Sequence, residues 1–136
     1  MGWVKLSDDF MHHPKVLQVG PNGIALYVAG LCYCNRYLTD GKIPAAAIPT
    51  LVDFTSAISD ADGPDASGVD LAEGVAQSLV DAGLWHRLTR AYRVHDFDQY
   101  QPSRAKVLAE RERERAKKSR QRSPGDSPVD TGRKAA

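Results

Sequence analysis

Apolar positions along the chain switch repeatedly between strand-like and helical spacing, and the switches predict the elements. Trp3–Leu6 alternates large apolar with small or basic residues, which suits a short extended arm. Pro14 opens a short helix through "HPKVLQV", and "GPNG" at Gly20–Gly23 breaks it. Ile24, Tyr27, Val28, Leu31 and Leu38 then recur at helical spacing, with Asn22 as the N-cap. Ala25, Ala29 and Cys32 add a second small flank, so this helix is expected to be buried on most sides. Lys42–Ile43 is a short strand, and Pro44 opens a helix running to about Phe54, kinked or split at Pro49.

Thr55–Gly68 is polar, acidic and glycine-rich, and reads as a mobile loop. The next helix has Asp70 as N-cap and Glu73 three residues on, a capping-box spacing. Its inner face is Leu71, Val75, Leu79 and Ala82, and Gly83 ends it. Two short strands follow in "LWHRLTRAYRVHDF" and meet around Thr89–Ala91. A charged helix starts at Arg104, and beyond Ser123 no apolar period remains.

The predicted fold is therefore mainly α with a small β-hairpin (α+β). Residues 1–103 form one domain with a mobile loop near 55–69, 104–122 a charged basic helix, and 123–136 a disordered tail. Its core is expected from Trp3, Leu6, Phe10, Tyr27, Val28, Leu31, Val75, Leu79, Leu84, Trp85, Val94 and Phe97.

Charge divides the chain in the same place. Residues 1–103 hold seven cations against twelve carboxylates, net −5, while 104–136 hold eleven against five, net +6. An acidic body with a basic tail suggests a polyanionic partner, or a solvated charged helix that keeps the chain in solution. No run approaches 18 apolar residues and the N-terminus lacks a basic segment followed by an apolar one. The expectation is a cytoplasmic protein with no membrane partner.

Candidate chemistry is sparse. Cys32 and Cys34, the only cysteines, lie two apart on a helix and point about 200° away from each other. They cannot share a metal or a disulfide, so reduced helix residues with at least one buried are expected. The His95–Asp96 step matches that of metal phosphohydrolases but lacks their further histidines. "GPNG" lacks the Lys and Ser/Thr of a phosphate loop. No catalytic residue, metal or cofactor is assigned, and the chain is not expected to be an enzyme.

The element order helix, strand, helix, helix and hairpin is that of a winged helix-turn-helix. The segments "YVAGLCYCNRYLTDGKIP" and "LVDAGLWHRLTRAYRVHDFDQYQPSR", with the opening "WVKL" and "HPKVL", carry a further likeness. They resemble winged-helix proteins of actinobacterial phages and prophages. More remotely, "AGLW" and "YRVHDFDQYQ" are similar to the N-terminal domain of DnaD-like phage replisome organisers. The likeness covers about residues 3–108 and implies double-stranded DNA binding in replication initiation or gene regulation in a bacterial host cell. Phage or host replication proteins and a second copy of the chain are further partners to consider. The segment between the second and third helices departs from the pattern, being too long for the tight turn of such units.

The residues rank the DNA contacts. The third helix is a poor reader, because Glu73, Gln77 and Asp81 face outward and only Gln77 and Ser78 could read a base. Arg87, Arg90 and Arg93 surround the hairpin tip without an intervening carboxylate, so the wing is expected to hold phosphates. Lys42, Arg104, Lys117, Lys118, Arg120 and Arg122 complete the DNA-binding set. In the tail, Glu110–Arg113, Glu112–Arg115 and Glu114–Lys118 are spaced to pair along a helix. The alternative is a protein-interaction module that engages a partner through Glu73, Gln77 and Asp81.

Overall fold

Helical spacing dominates the chain, and the fold is mainly helical with one three-stranded antiparallel sheet. The computed structural model describes residues 2–55, 58, 63 and 67–135, with side chains up to Gln121. It divides into two units, Met1–Pro102 and Ser103–Ala136. In the first, a 3-10 turn (Phe10–His12) leads into α1 (Pro14–Tyr37), then β1 (Lys42–Pro44), a second 3-10 turn (Ala45–Ala47), α2 (Ile48–Leu51), α3 (Gly68–Asp81), β2 (Trp85–Leu88), β3 (Ala91–Val94) and α4 (Phe97–Tyr100).

The "GPNG" break is a kink inside α1, not a gap between two helices. Gly20 adopts φ 70 and ψ −173, a conformation open almost only to glycine, and Pro21 restarts the helix without needing a backbone donor. The restart therefore falls at Gly20–Pro21 and not at an Asn22 cap. The packed stripe is also rotated. Gly23, Leu26, Gly30, Leu31 and Cys34 are buried, while Ile24, Tyr27 and Val28 are half-buried and Ala25 and Cys32 exposed. Gly30 sets this phase: a Cβ there would lie 2.8 Å from Cζ2 of Trp85 and 2.9 Å from Cδ1 of Ile43. The helix can approach the sheet this closely only through a glycine. By length and composition α1 could cross a membrane, but its stripe packs on protein.

Pro44 belongs to β1, so the helix expected from it to Phe54 is replaced by the 3-10 turn and α2, with Pro49 in the first turn of α2. Pro44 is tolerated because β1 is an edge strand. The loop expected near 55–69 lies largely outside the described residues. Its end is corrected: Ser67 caps α3, its hydroxyl accepting from the Asp70 N–H at 3.1 Å. Asp70 is thus inside the helix, and the Asp70–Glu73 capping box does not form. The inner face of α3 is Ala72, Val75, Ala76 and Leu79, with Leu71 half-buried.

The sheet has the order β1-β3-β2. Ile43 pairs with Tyr92, and Trp85 with Val94, so these four side chains form its inner face. All are buried, with Leu26, Ile48, Phe54, Leu79 and Phe97 filling the space to the helices. Two expected core residues are at the surface. Trp3 is 83% exposed and Leu6 47% exposed. Their arm is held by side-chain amides instead of burial. Gln101, itself buried, accepts from the Lys5 N–H at 3.0 Å and donates to the Lys5 carbonyl at 2.5 Å. Asn35 donates to the Trp3 carbonyl at 3.3 Å. Tyr27 and Leu84 are half-buried against the core, while Phe10 and Val28, also expected in it, are half-buried outside the cluster, Phe10 stacking on Tyr27 at 5.4 Å.

Cys32 is exposed and Cys34 buried, as their two-residue spacing on a helix requires. Burial pushes the Cys34 thiol up, partly offset by hydrogen bonds from Thr39 and Gly41. The thiolate is the reactive form, so the two should differ sharply. Maleimide near neutral pH is expected to modify Cys32 rapidly and Cys34 only in denaturant. Mass spectrometry of the first adduct checks the assignment, and early modification of Cys34 would contradict its packing.

The second unit is α5 (Arg104–Ala135). Its helical backbone continues past Ser123, where the lost apolar period predicts disorder. A helix satisfies its backbone locally and needs no apolar face to continue, although Pro124 and Pro128 each remove one donor there. Of the three spaced pairs, Glu112–Arg115 is formed at 3.3 Å among the described residues.

Candidate nucleic-acid interface

The hairpin turn is only two residues, Thr89 and Arg90, because Leu88 pairs with Ala91. Arg90 takes φ 55 in the left-handed region, and its carbonyl accepts from the Ala45 N–H at 2.9 Å. The tip is therefore tied to the chain after β1. With the register fixed, successive side chains alternate between the two faces of the sheet.

That alternation separates the three arginines. Arg87 shares the parity of Trp85 and turns toward α3. Its guanidinium lies 5.1 Å from the centre of the Tyr92 ring, and it donates to Oε1 of Gln77. Gln77 Nε2 in turn donates to Asp81 at 2.8 Å. Arg87 is thus a strut between β2 and α3 and not part of a cluster at the tip. The same contacts occupy both ends of the Gln77 amide. Ser78 donates to the Val75 carbonyl at 2.6 Å and is half-buried. The polar groups of both expected base readers are thus engaged within the protein. Glu73 and Asp81 are exposed on α3.

Arg93 has the opposite parity and lies on the outer face. In register, Lys42 of β1 and His86 of β2 flank it on either side. The three exposed side chains form a row across the sheet. The ion pairs seen among the described residues, His95–Asp96 and Glu112–Arg115, involve neither Lys42 nor Arg93. Like charges facing each other across strands destabilise a sheet unless an anion sits between them.

One end of this row is elaborated. His86 Nε2 lies 2.7 Å from His95 Nδ1, and His95 Nε2 is 3.1 Å from the Asp96 carboxylate. The pairing follows from the register, since His95 is the diagonal same-face neighbour of His86. The sequence held the signal: a two-residue turn at Thr89–Arg90 puts residues 86 and 95 on one face. Without the turn length the register, and hence the pair, was not legible. Among the described residues no three His, Cys, Asp or Glu side chains gather as a metal site.

In the second unit Arg104, Lys117, Lys118 and Arg120 are exposed along α5; the Arg122 side chain lies outside the described residues. Elsewhere in the first unit, a cavity of about 590 Å³ lies under the N-terminal arm, floored by Phe10, Tyr27, Leu31 and Phe97. Burial, then the neighbouring Tyr100, pushes the Tyr27 hydroxyl up. No protein-family model, curated protein or solved structure matches this chain.

Proposed function

We propose that this chain is a winged-helix protein that binds double-stranded DNA, acting in phage or prophage replication initiation or gene regulation, and that it is not an enzyme. The observation that carries the reading is the outer sheet face, where Lys42, Arg93 and His86 stand in register beside a two-residue hairpin tip bearing Arg90. The element order and the strand order β1-β3-β2 support the winged-helix assignment. The basic surplus of α5 supports a second, sequence-independent contact. In this reading the hairpin is the wing, and it grips the backbone. The engaged Gln77 and the acidic Glu73 and Asp81 keep α3 from acting as the main reader.

Counterion release gives the test. If Lys42, Arg90, Arg93 and two tail cations each neutralise one phosphate, log K should fall against log salt with a slope near −4.5, at about −0.9 per phosphate. Deleting residues 109–136 should flatten the slope by about 1.8 units. Titration of a labelled duplex across a salt series measures both. No binding at low salt would reject the reading and leave the acidic face of α3, through Glu73 and Asp81, as a protein-docking surface.

A further inference from the structure

We infer that the outer sheet face is a proton-gated oligophosphate site, in which Lys42 and Arg93 hold the anion and His86, in hydrogen-bond contact with His95, adds a third charge when protonated. The inference rests on the DNA reading for its biological partner but not for its chemistry. Neighbouring strands lie about 4.8 Å apart, so the row from Lys42 to His86 spans roughly 10 Å, enough for a short oligophosphate or adjacent backbone phosphates.

The imidazole contact limits how protons are shared. His86 Nε2 lies 2.7 Å from His95 Nδ1, so one ring donates and the other accepts. One added proton, on the far nitrogen of whichever ring donates, leaves that contact intact. A second would set two N–H groups against each other. The contact is thus compatible with one added charge at the His86 end of the row, where the Asp96 carboxylate lies 3.1 Å from His95 Nε2.

Charged groups from several elements surround the pair. Arg93 of β3 is the direct neighbour of His86, and Lys42 of β1 lies beyond it. Lys5, Asp9, His13 and Lys15 line the cavity that reaches His95 and Asp96. The Asp96 carboxylate lies 3.1 Å from His95 Nε2. A bound phosphate removes the repulsion within the row, so proton uptake and phosphate binding favour each other reciprocally.

Inorganic tripolyphosphate and a short DNA duplex are the probes, each compared at about pH 5.5 and pH 8, the interval over which imidazole ordinarily changes charge. For the full-length protein, tripolyphosphate is expected to shift the His86 and His95 ring signals and the Arg93 guanidinium signal by NMR, more strongly at the lower pH. Affinity for both probes should rise roughly three- to tenfold on going to the lower pH, and the duplex salt slope should steepen by about 0.9. His86→Gln should collapse the affinity ratio between the two pH values to less than about twofold. Absence of these NMR shifts at both pH values, or an unchanged ratio in His86→Gln, would overturn the inference. Tripolyphosphate seated on the row without duplex binding would keep the site and reject the DNA reading. Duplex binding with a histidine-independent ratio would do the reverse.

Discussion

Trp85→Ala should lower the stability of the first unit by about 3–5 kcal/mol, the usual cost of truncating a fully buried tryptophan. The ring is 0% exposed, tilts against Tyr92 at 5.5 Å between centres, and meets α1 at Gly30. It joins sheet to helix, and no smaller neighbour can move in to fill the space. Domains of this size have about 5–15 kcal/mol in total, so the variant should approach the threshold of folding. Trp85→Phe should cost much less, because it keeps an aromatic ring in place and removes an Nε1–H that has no partner among the described residues.

Gly30 supplies an internal control. Gly30→Ala in the native background forces a methyl onto the Trp85 ring and should cost about 1–3 kcal/mol despite the better helix propensity of alanine. In the Trp85→Ala background the tryptophan contact is gone and the remaining one, at the flexible Cδ1 end of Ile43, can swing into the vacated space, so the same change should stabilise by about 0.5–1 kcal/mol. Urea unfolding of the four proteins checks the sign reversal. If Gly30→Ala has the same sign in both, the close approach of α1 to Trp85 is wrong.

Lys42→Glu with Arg93→Glu should reduce duplex affinity roughly a hundredfold at about 0.1 M salt. A slope of −0.9 per phosphate makes each contact worth nearly tenfold at that concentration, relative to 1 M. Reversing the sign adds repulsion to the two lost contacts. Both side chains are exposed, and the double change replaces one like-charge cross-strand pair with another, so the thermal midpoint should hardly move. Arg87→Ala offers the contrast. It should lower stability through the lost contacts to Tyr92 and Gln77 while leaving most of the salt slope in place. Fluorescence anisotropy on both variants separates the outer face from the hairpin as a whole. Equal losses in the two would mean that alternation along the strands does not sort these cations.

Local spacing was enough for much of the fold. The apolar periods announced α1, α3, the hairpin and the start of α5, because helical and strand periods are properties of a chain segment and its own backbone. Tertiary structure decided what those segments meant. The stripe of α1 runs through Gly30 and Cys34 because Trp85 needs room there, and no local pattern ranks a glycine as a contact residue. Trp3 and Leu6 look like core by type, yet two side-chain amides hold their backbone at the surface. The candidate site changed most. Sequence proximity grouped Arg87, Arg90 and Arg93, whereas strand alternation sends Arg87 to α3 and β1 brings Lys42 to Arg93 from about fifty residues away. The His86–His95 pair arose in the same way, from a register that depends on the length of one turn. Charge and period are written along the chain, but which charges become neighbours is set by how strands pair, and pairing is a long-range choice.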